Sequence, residues 1–291
     1  MKYDVSIIVA TYNPDTEKLI STLNSCISQE GISFEIIITD DGSVKFPRAE
    51  IEDYMRSAGF DRITYCIKEI NKGTVINLID GLQMSSGEYV KFISPGDLLS
   101  DKKILADWLS FVKKKKALWS FGDVKFYNGD KVFDKKLRPI VIKPYIWGFK
   151  SLCRKNYVLN NDLCIGAATL IQSELMMSYL KRIEGKIKYG EDNVFRMMML
   201  EGICAEYYSR TVIDYEYGEG ISTAENSGLN PRLQADWNVA TEMMCNPGES
   251  DDALASSLRR CLQSSDKANN IFTAYFWRRK LFGIQRVLFK R

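Results

Sequence analysis

Tyr89-Val90-Lys91-Phe92-Ile93-Ser94-Pro95-Gly96-Asp97 decides how the rest of the chain reads. Its first five residues have the β-branched and aromatic content of a short buried strand. Ser94-Pro95-Gly96-Asp97 then breaks the strand as a turn and leaves a carboxylate at its C-terminal tip. In open α/β sheets, ligands occupy the crevice outside the carboxyl ends of the strands. A carboxylate there is placed to meet a ligand or a metal ion.

Toward the N terminus the same grammar repeats. Residues 5–10 (VSIIVA) form a continuous apolar run of parallel-strand type, closed by Thr11-Tyr12-Asn13-Pro14. Residues 16–29 place Leu19, Leu23 and Cys26/Ile27 at helical spacing, and 35–39 (EIIIT) make a second strand ending in Asp40-Asp41-Gly42-Ser43. Residues 51–58 read as a helix and 63–67 as a third strand. Asn71-Lys72-Gly73 opens a helix with Ile76, Ile79 and Leu82 on one face. Alternating β and α units with short connections predict a doubly wound, mostly parallel sheet with right-handed crossovers. Its polar strand tips then share one edge. Asp40-Asp41 is the sharpest of them, because adjacent carboxylates repel and require a ligand, a donor or a cation.

After Asp97 the pattern changes. Residues 101–112 are predicted helical, capped by Ser100-Asp101, with Lys113-Lys114-Lys115-Lys116 as a solvated end favoured by the helix dipole. Asn128-Gly129 signals a hairpin between 118–127 and 131–133. Residues 163–171 (LCIGAATLI) read as a buried strand in which Gly166 and Ala167-Ala168 permit close approach of another group; 173–180 read as a helix. Tyr189-Gly190-Glu191-Asp192 precedes a helix over 193–201 that Gly202 stops. Capping explains one of these two acids, not both. Residues 205–217 are strand-like and run into Gly218 and the segment to Thr223; from Pro231 the chain is helical and polar.

Composition bounds the chemistry. The 291 residues are 45% hydrophobic and 26% charged, with a net charge of +3, which is ordinary for a globular chain and gives no reason to expect nucleic acid. Histidine is absent, so His-based relays, bases and metal sites are excluded, and acid–base or metal work falls to Asp and Glu with hard cations favoured. Seven cysteines without a C-x-x-C pair predict reduced thiols in a cytoplasmic protein. Met1-Lys2-Tyr3-Asp4 leads into a strand-like run rather than an apolar leader, and no stretch approaches the roughly 18 apolar residues of a membrane span. There is no G-x-x-x-x-G-K-[ST] loop, no G-x-G-x-x-G after the first strand and no G-x-S-x-G elbow, which disfavours P-loop NTPases, Rossmann dehydrogenases and triad hydrolases.

Val5 to Asn13, Ile37 to Ser43 and Gly87 to Ile93, taken in order, resemble the opening of family 2 glycosyltransferases, and Glu191-Asp192 is similar to that family's downstream E-D motif. The resemblance implies a GT-A fold and an inverting transfer of one hexosyl unit from a nucleotide-sugar donor, a UDP-sugar first. The acceptor would be a glycan on a lipid carrier or a glycoprotein. It divides residues 1–223 into a nucleotide-sugar half (1–97) and a mixed acceptor half (98–223), followed by a helical C-terminal region (224–291). It implies that Thr11, Tyr12 and Asn13 line the nucleotide pocket, that Asp40 or Asp41 takes the base or ribose, and that Gly42 and Ser43 shape that turn. Asn71, Lys72, Gly73 and Asn77 would surround nucleotide and donor sugar, Asp192 would be the general base beside Glu191, and Asp97 would hold Mg²⁺ or Mn²⁺. The usual D-x-D-D is reduced here to Ser94-Pro95-Gly96-Asp97, and an Arg common before the matched Asn is Ile76. Absence of the Q-x-x-R-W motif implies one sugar per encounter.

Two rivals to this reading are a catalytically silent GT-A binding or assembly subunit and, with less support, a sugar-nucleotide nucleotidyltransferase. Residues 267–291 carry Lys267, Arg278, Arg279, Lys280, Arg286, Lys290 and Arg291 among many aromatic and aliphatic residues, without an acid. Such a tail suits an amphipathic helix on the anionic inner face of a membrane, and equally a helix docked on the core or in a homo-oligomer interface.

Overall fold

A computed structural model describes residues 2–133, 140–218, 230–245, 253–263 and 274–289. The last five positions, 219–223, of the 1–223 unit that the resemblance implies lie outside these residues. The elements run β1 (Tyr3–Thr11), α1 (Thr16–Ile27), β2 (Phe34–Asp40), α2 (Arg48–Ser57), β3 (Ile63–Ile67), α3 (Thr74–Gln83), β4 (Gly87–Ile93), β5 (Leu98–Leu99), α4 (Ile104–Lys115), β6 (Trp119–Asn128) and β7 (Lys131–Phe133). They continue as α5 (Lys143–Ile146), α6 (Lys150–Asn160), β8 (Thr169–Gln172), α7 (Ser173–Ile183), α8 (Asn193–Leu200), β9 (Glu206–Glu216), α9 (Pro231–Cys245), α10 (Ala253–Gln263) and α11 (Ala274–Phe289).

Among the described residues one mixed sheet runs in the order β3-β2-β1-β4-β8-β6-β9-β5, with β7 added to β6. The first four strands are parallel, so their side chains must be apolar on both faces. Ile7 and Val9 enter the core beneath α1, α2 and α4, while Ile8 enters the one shared with α3, α7 and α8. β8 runs antiparallel to both β4 and β6, and β9 is parallel to β6. The C-terminal tips of β1, β2, β4, β6 and β9 and the entry to β8 therefore lie on a single edge. The hairpin predicted at Asn128-Gly129 pairs Asn128 with Lys131.

Three expectations are corrected. The strand expected over 163–171 is confined to Thr169–Gln172, because Gly166–Ala168 winds into a 3₁₀ turn. The helix expected from 101 begins at Ile104, and its cap residue Lys103 makes no side-chain bond. Leu98–Leu99 is instead drawn into pairing with β9, and the Asp101 carboxylate is spent on the Lys103 N–H and on Arg210. Helices α5 and α6, to which the sequence patterns gave no sign, pack beside β9 and α8. In the C-terminal region, Asn156 Nδ2 donates to Gln285 Oε1 at 2.9 Å and Lys143 Nζ to the Leu288 carbonyl at 2.7 Å. α11 is thus docked along one side, while Trp277, Leu281, Ile284 and Leu288 stay exposed.

Candidate active site

At the tips of β1 and β2 the adjacent acids are neutralised by protein donors. Asp40 is fully buried; its carboxylate accepts Thr11 Oγ1 at 2.8 Å and the Ser43 N–H at 2.8 Å. Asp41, 4% exposed, accepts the Lys72 N–H at 2.9 Å and the Gly73 N–H at 2.7 Å. The repulsion between them is relieved by hydrogen bonds that also fix two loops. Gly42 has φ +75°, and a Cβ there would collide with the backbone of Ile70 and Asn71. Asn13, at φ +46°, receives a bond from the Val44 N–H and gives its own N–H to Ser43. Tyr12 and Asn13 are exposed on this rim and Thr11 is buried beneath it. Asn77 is buried: it donates to the Thr39 carbonyl and accepts from Thr39 Oγ1 and Lys68 Nζ. Thr11, Asp40, Asp41 and Asn77 therefore lie buried as a floor beneath this rim, whereas Tyr12, Asn13 and Lys72 are exposed and Asn71 is half-buried.

The loop before α8 meets this floor directly. The Val75 N–H donates to the Lys188 carbonyl at 3.1 Å, and Gly73, at φ +94°, lies so close to Lys188 that a Cβ would strike it. Glu191 and Asp192 follow four residues later at most. Asp192 is the N-cap residue of α8 but makes no capping bond, so capping does not account for it. It is exposed, and its carboxylate rests against Gly166, where any Cβ would displace it; the group that Gly166 lets approach is the acid itself. Glu191 is half-buried, and burial followed by the charges of Asp192 and Asp236 pushes its carboxyl up. Asp236, on α9, went unremarked in the sequence because its partners are backbone: it accepts the N–H groups of Lys188, Tyr189 and Gly190.

The third cluster surrounds the motif with which the chain was first read. Asp97 is 5% exposed and accepts the Glu216 N–H at 3.1 Å. Burial pushes its carboxyl up, against the lowering effect of that N–H and of Lys91. Lys91, within β4, is completely buried; its ammonium donates to the carbonyls of Phe92 and Ala167, and burial pulls it down. Glu216, at the tip of β9, pairs with Lys18 at 2.8 Å, and its carboxylate lies over Gly96. Tyr127 hydroxyl closes the turn by donating to the Gly96 carbonyl. Lys91, Lys18 and Glu216 were not singled out from sequence; a lysine inside an otherwise apolar strand was the available signal for the first. For a divalent cation, the carboxylate oxygens of Asp97 and Glu216 are donors of the right hardness. Among the described residues no group of three Asp, Glu, Cys or His converges, so phosphate oxygens and water would complete the shell.

Residues 6–180 match the sequence profile described as glycosyl transferase family 2. The fold is similar to that of S. aureus TarS residues 1–349 in complex with UDP-GlcNAc, at a TM-score of 0.63 and 17% identity over 92% of this chain and 75% of that one. The same protein in complex with UDP gives 0.59 and 16% over 92% and 74%. The mannosyltransferase PcManGT from Pyrobaculum calidifontis, in complex with GDP-Man and Mn²⁺, gives 0.54 and 13% over 99% and 87%.

Proposed function

The chain belongs to glycosyl transferase family 2 and is a glycosyltransferase of GT-A fold, and we propose that it transfers a single sugar, with inversion, from a nucleotide diphosphate sugar to a glycan acceptor. The observation that carries this reading is the contact between the two loops. The first turn of α3, just after Gly73, is bonded to the Lys188 segment, which delivers the exposed carboxylate of Asp192, a residue that does not cap its own helix by its side chain.

In this mechanism Asp192 takes the proton of the acceptor hydroxyl as that oxygen attacks the anomeric carbon, and the bond from that carbon to the diphosphate breaks from the opposite side. One bond forms as one breaks, the proton ends on Asp192, and the electron pair leaves with the nucleoside diphosphate. Such base assistance contributes about 10²–10⁴-fold. Glu191 keeps the local charge low while it is protonated. Asp40 and Asp41 act through Thr11, Ser43, Lys72 and Gly73, whose positions they fix, so nucleotide contact falls to the rim of Tyr12, Asn13 and Lys72. Asp97 would hold Mg²⁺ or Mn²⁺ through the donor phosphates, and the cation would offset charge on the leaving diphosphate. The relatives solved with UDP, UDP-GlcNAc and GDP-Man make UDP- and GDP-sugars the first donors to try. The exposed apolar face of α11, set among Arg279, Lys280 and Arg286, suits an anionic lipid surface and a lipid-carried acceptor.

A thermal-shift and turnover screen of UDP-, GDP- and dTDP-sugars, with Mn²⁺ and with EDTA, tests the reading. One nucleotide series should raise the melting temperature and release nucleoside diphosphate when acceptor is present. Stabilisation by none of them would defeat the proposal.

A further inference from the structure

The turn after β4 has a glycine at position 96, where the resemblance leads one to expect an acid. Gly96 has φ +97°, a conformation that disfavours any side chain, and a Cβ there would collide with the carboxylate of Glu216. The space that a side chain at 96 would enter is thus already held by a carboxylate arriving from β9. Three contacts fix it: the Glu216 N–H donates to Asp97 Oδ1 at 3.1 Å, Lys18 Nζ pairs with Glu216 Oε1 at 2.8 Å, and Tyr127 holds the Gly96 carbonyl. The Glu216 side chain is 11% exposed and that of Lys18 33% exposed, so the lysine is the partner that can be withdrawn toward solvent.

Resting on the glycosyltransferase reading above, we propose that Glu216 supplies the carboxylate missing from position 96. A divalent cation arriving with a nucleoside diphosphate is then held by Glu216 together with Asp97, and Lys18 holds Glu216 in place until it does. Two carboxylates plus phosphate oxygens are the protein share that Mg²⁺ and Mn²⁺ ordinarily accept. A motif thinned to one acid in the sequence is thereby rebuilt from two strands 119 positions apart.

The test is calorimetric titration of UDP, GDP and dTDP into the full chain, in Mn²⁺ and in EDTA, with bound Mn²⁺ counted by electron paramagnetic resonance. The wild-type protein should bind one of these nucleotides more tightly in Mn²⁺ than in EDTA. Glu216→Gln keeps the size and the bond to Lys18 but removes the charge. It should lose that metal-dependent factor, at least the ~10–100-fold that weaker outer-shell changes cost, while affinity in EDTA stays level or rises. Glu216→Asp, one methylene short with its charge intact, should lose part of the factor and serves as the check if the Gln variant folds poorly. Full retention of the Mn²⁺ factor and of bound Mn²⁺ in Glu216→Gln overturns the inference, as does equal wild-type affinity in Mn²⁺ and EDTA. Binding of no nucleotide under either condition instead removes the glycosyltransferase reading, and this inference with it.

Discussion

Two of the chain's pairs of adjacent acids, Asp40-Asp41 and Glu191-Asp192, stand at the candidate site, and their surroundings differ. Asp40-Asp41 sits at the tip of a parallel strand, where Thr11, Ser43, Lys72 and Gly73 converge on it with donors, and both side chains are buried. Glu191-Asp192 sits at the start of α8, where the Val194 and Phe195 N–H groups go to the Glu191 and Asp192 carbonyls; the Asp192 side chain makes no capping bond and is exposed, and the Glu191 carboxyl is pushed up. A carboxylate surrounded by donors is stabilised as an anion and becomes structure. A carboxyl pushed up in its ionisation by burial and neighbouring charge, as that of Glu191 is, holds its proton more tightly. The same two-residue motif is therefore held by backbone and hydroxyl donors in one half of the molecule, and in the other it is the pair to which the proposed mechanism gives the base.

The sharpest way to break this comparison is to remove charge from each pair in turn. Asp192→Asn should lower kcat by about 10³-fold and leave donor affinity within about twofold, since only the transition state uses the base. Isothermal titration and single-turnover kinetics separate the two quantities, and near-normal turnover would remove Asp192 from the chemistry. Asp41→Ala should instead act on the fold. It strips two backbone N–H groups of their acceptor, at ~1–3 kcal/mol each, so urea denaturation should show a loss of about 3 kcal/mol. A loss below ~0.5 kcal/mol, the level of an ordinary surface change, would mean that the carboxylate is not the scaffold described.

How far this division could be read from sequence follows from where the partners lie. The strand runs of β1, β2 and β4 are legible because both faces are buried, and the shared edge follows from their parallel order. The two acid pairs are legible as candidates. Which of them is consumed is not, because the donors to Asp41 come from 31 and 32 positions away and through backbone N–H groups, which leave no side-chain signature. The same holds for Asp236, whose acceptors' partners are backbone across 46 to 48 positions. The over-long strand at 163–171 has a physical cause as well. Gly166–Ala168 has the apolar look of a strand, but the buried ammonium of Lys91 binds the Ala167 carbonyl and Asp192 occupies the space above Gly166.

That packing gives a milder probe of the reactive pair. Gly166→Ala puts a methyl group where the Asp192 carboxylate rests, and the short side chain can only swing away. Transfer should fall by roughly 10- to 100-fold, the upper figure being the scale of a displacement of about one ångström, while donor affinity and the urea midpoint hold. Loss of stability with unchanged turnover would show that Gly166 serves packing rather than the position of the base.

The smallest effect concerns Glu191, and it is read from pH rather than from a single rate. Its carboxyl is raised from 4.5 to about 8, by burial first and then by the charges of Asp192 and Asp236. An acid harder to ionise folded than unfolded contributes stability that is complete below the unfolded value and is lost as pH rises through the folded one. Wild-type stability should accordingly decline between pH 4.5 and about 8 relative to Glu191→Gln, in which that ionisation is gone. The rate should move the other way. Ionised Glu191 puts a second negative charge beside the proton that Asp192 takes from the acceptor in the proposed mechanism, which favours that transfer. Wild-type kcat should climb a few-fold across that range, an effect of the size expected from modest base strengthening, and Glu191→Gln should lack the climb. Superimposable pH profiles for stability and rate would place Glu191 outside the reactive pair and leave Asp192 to act alone.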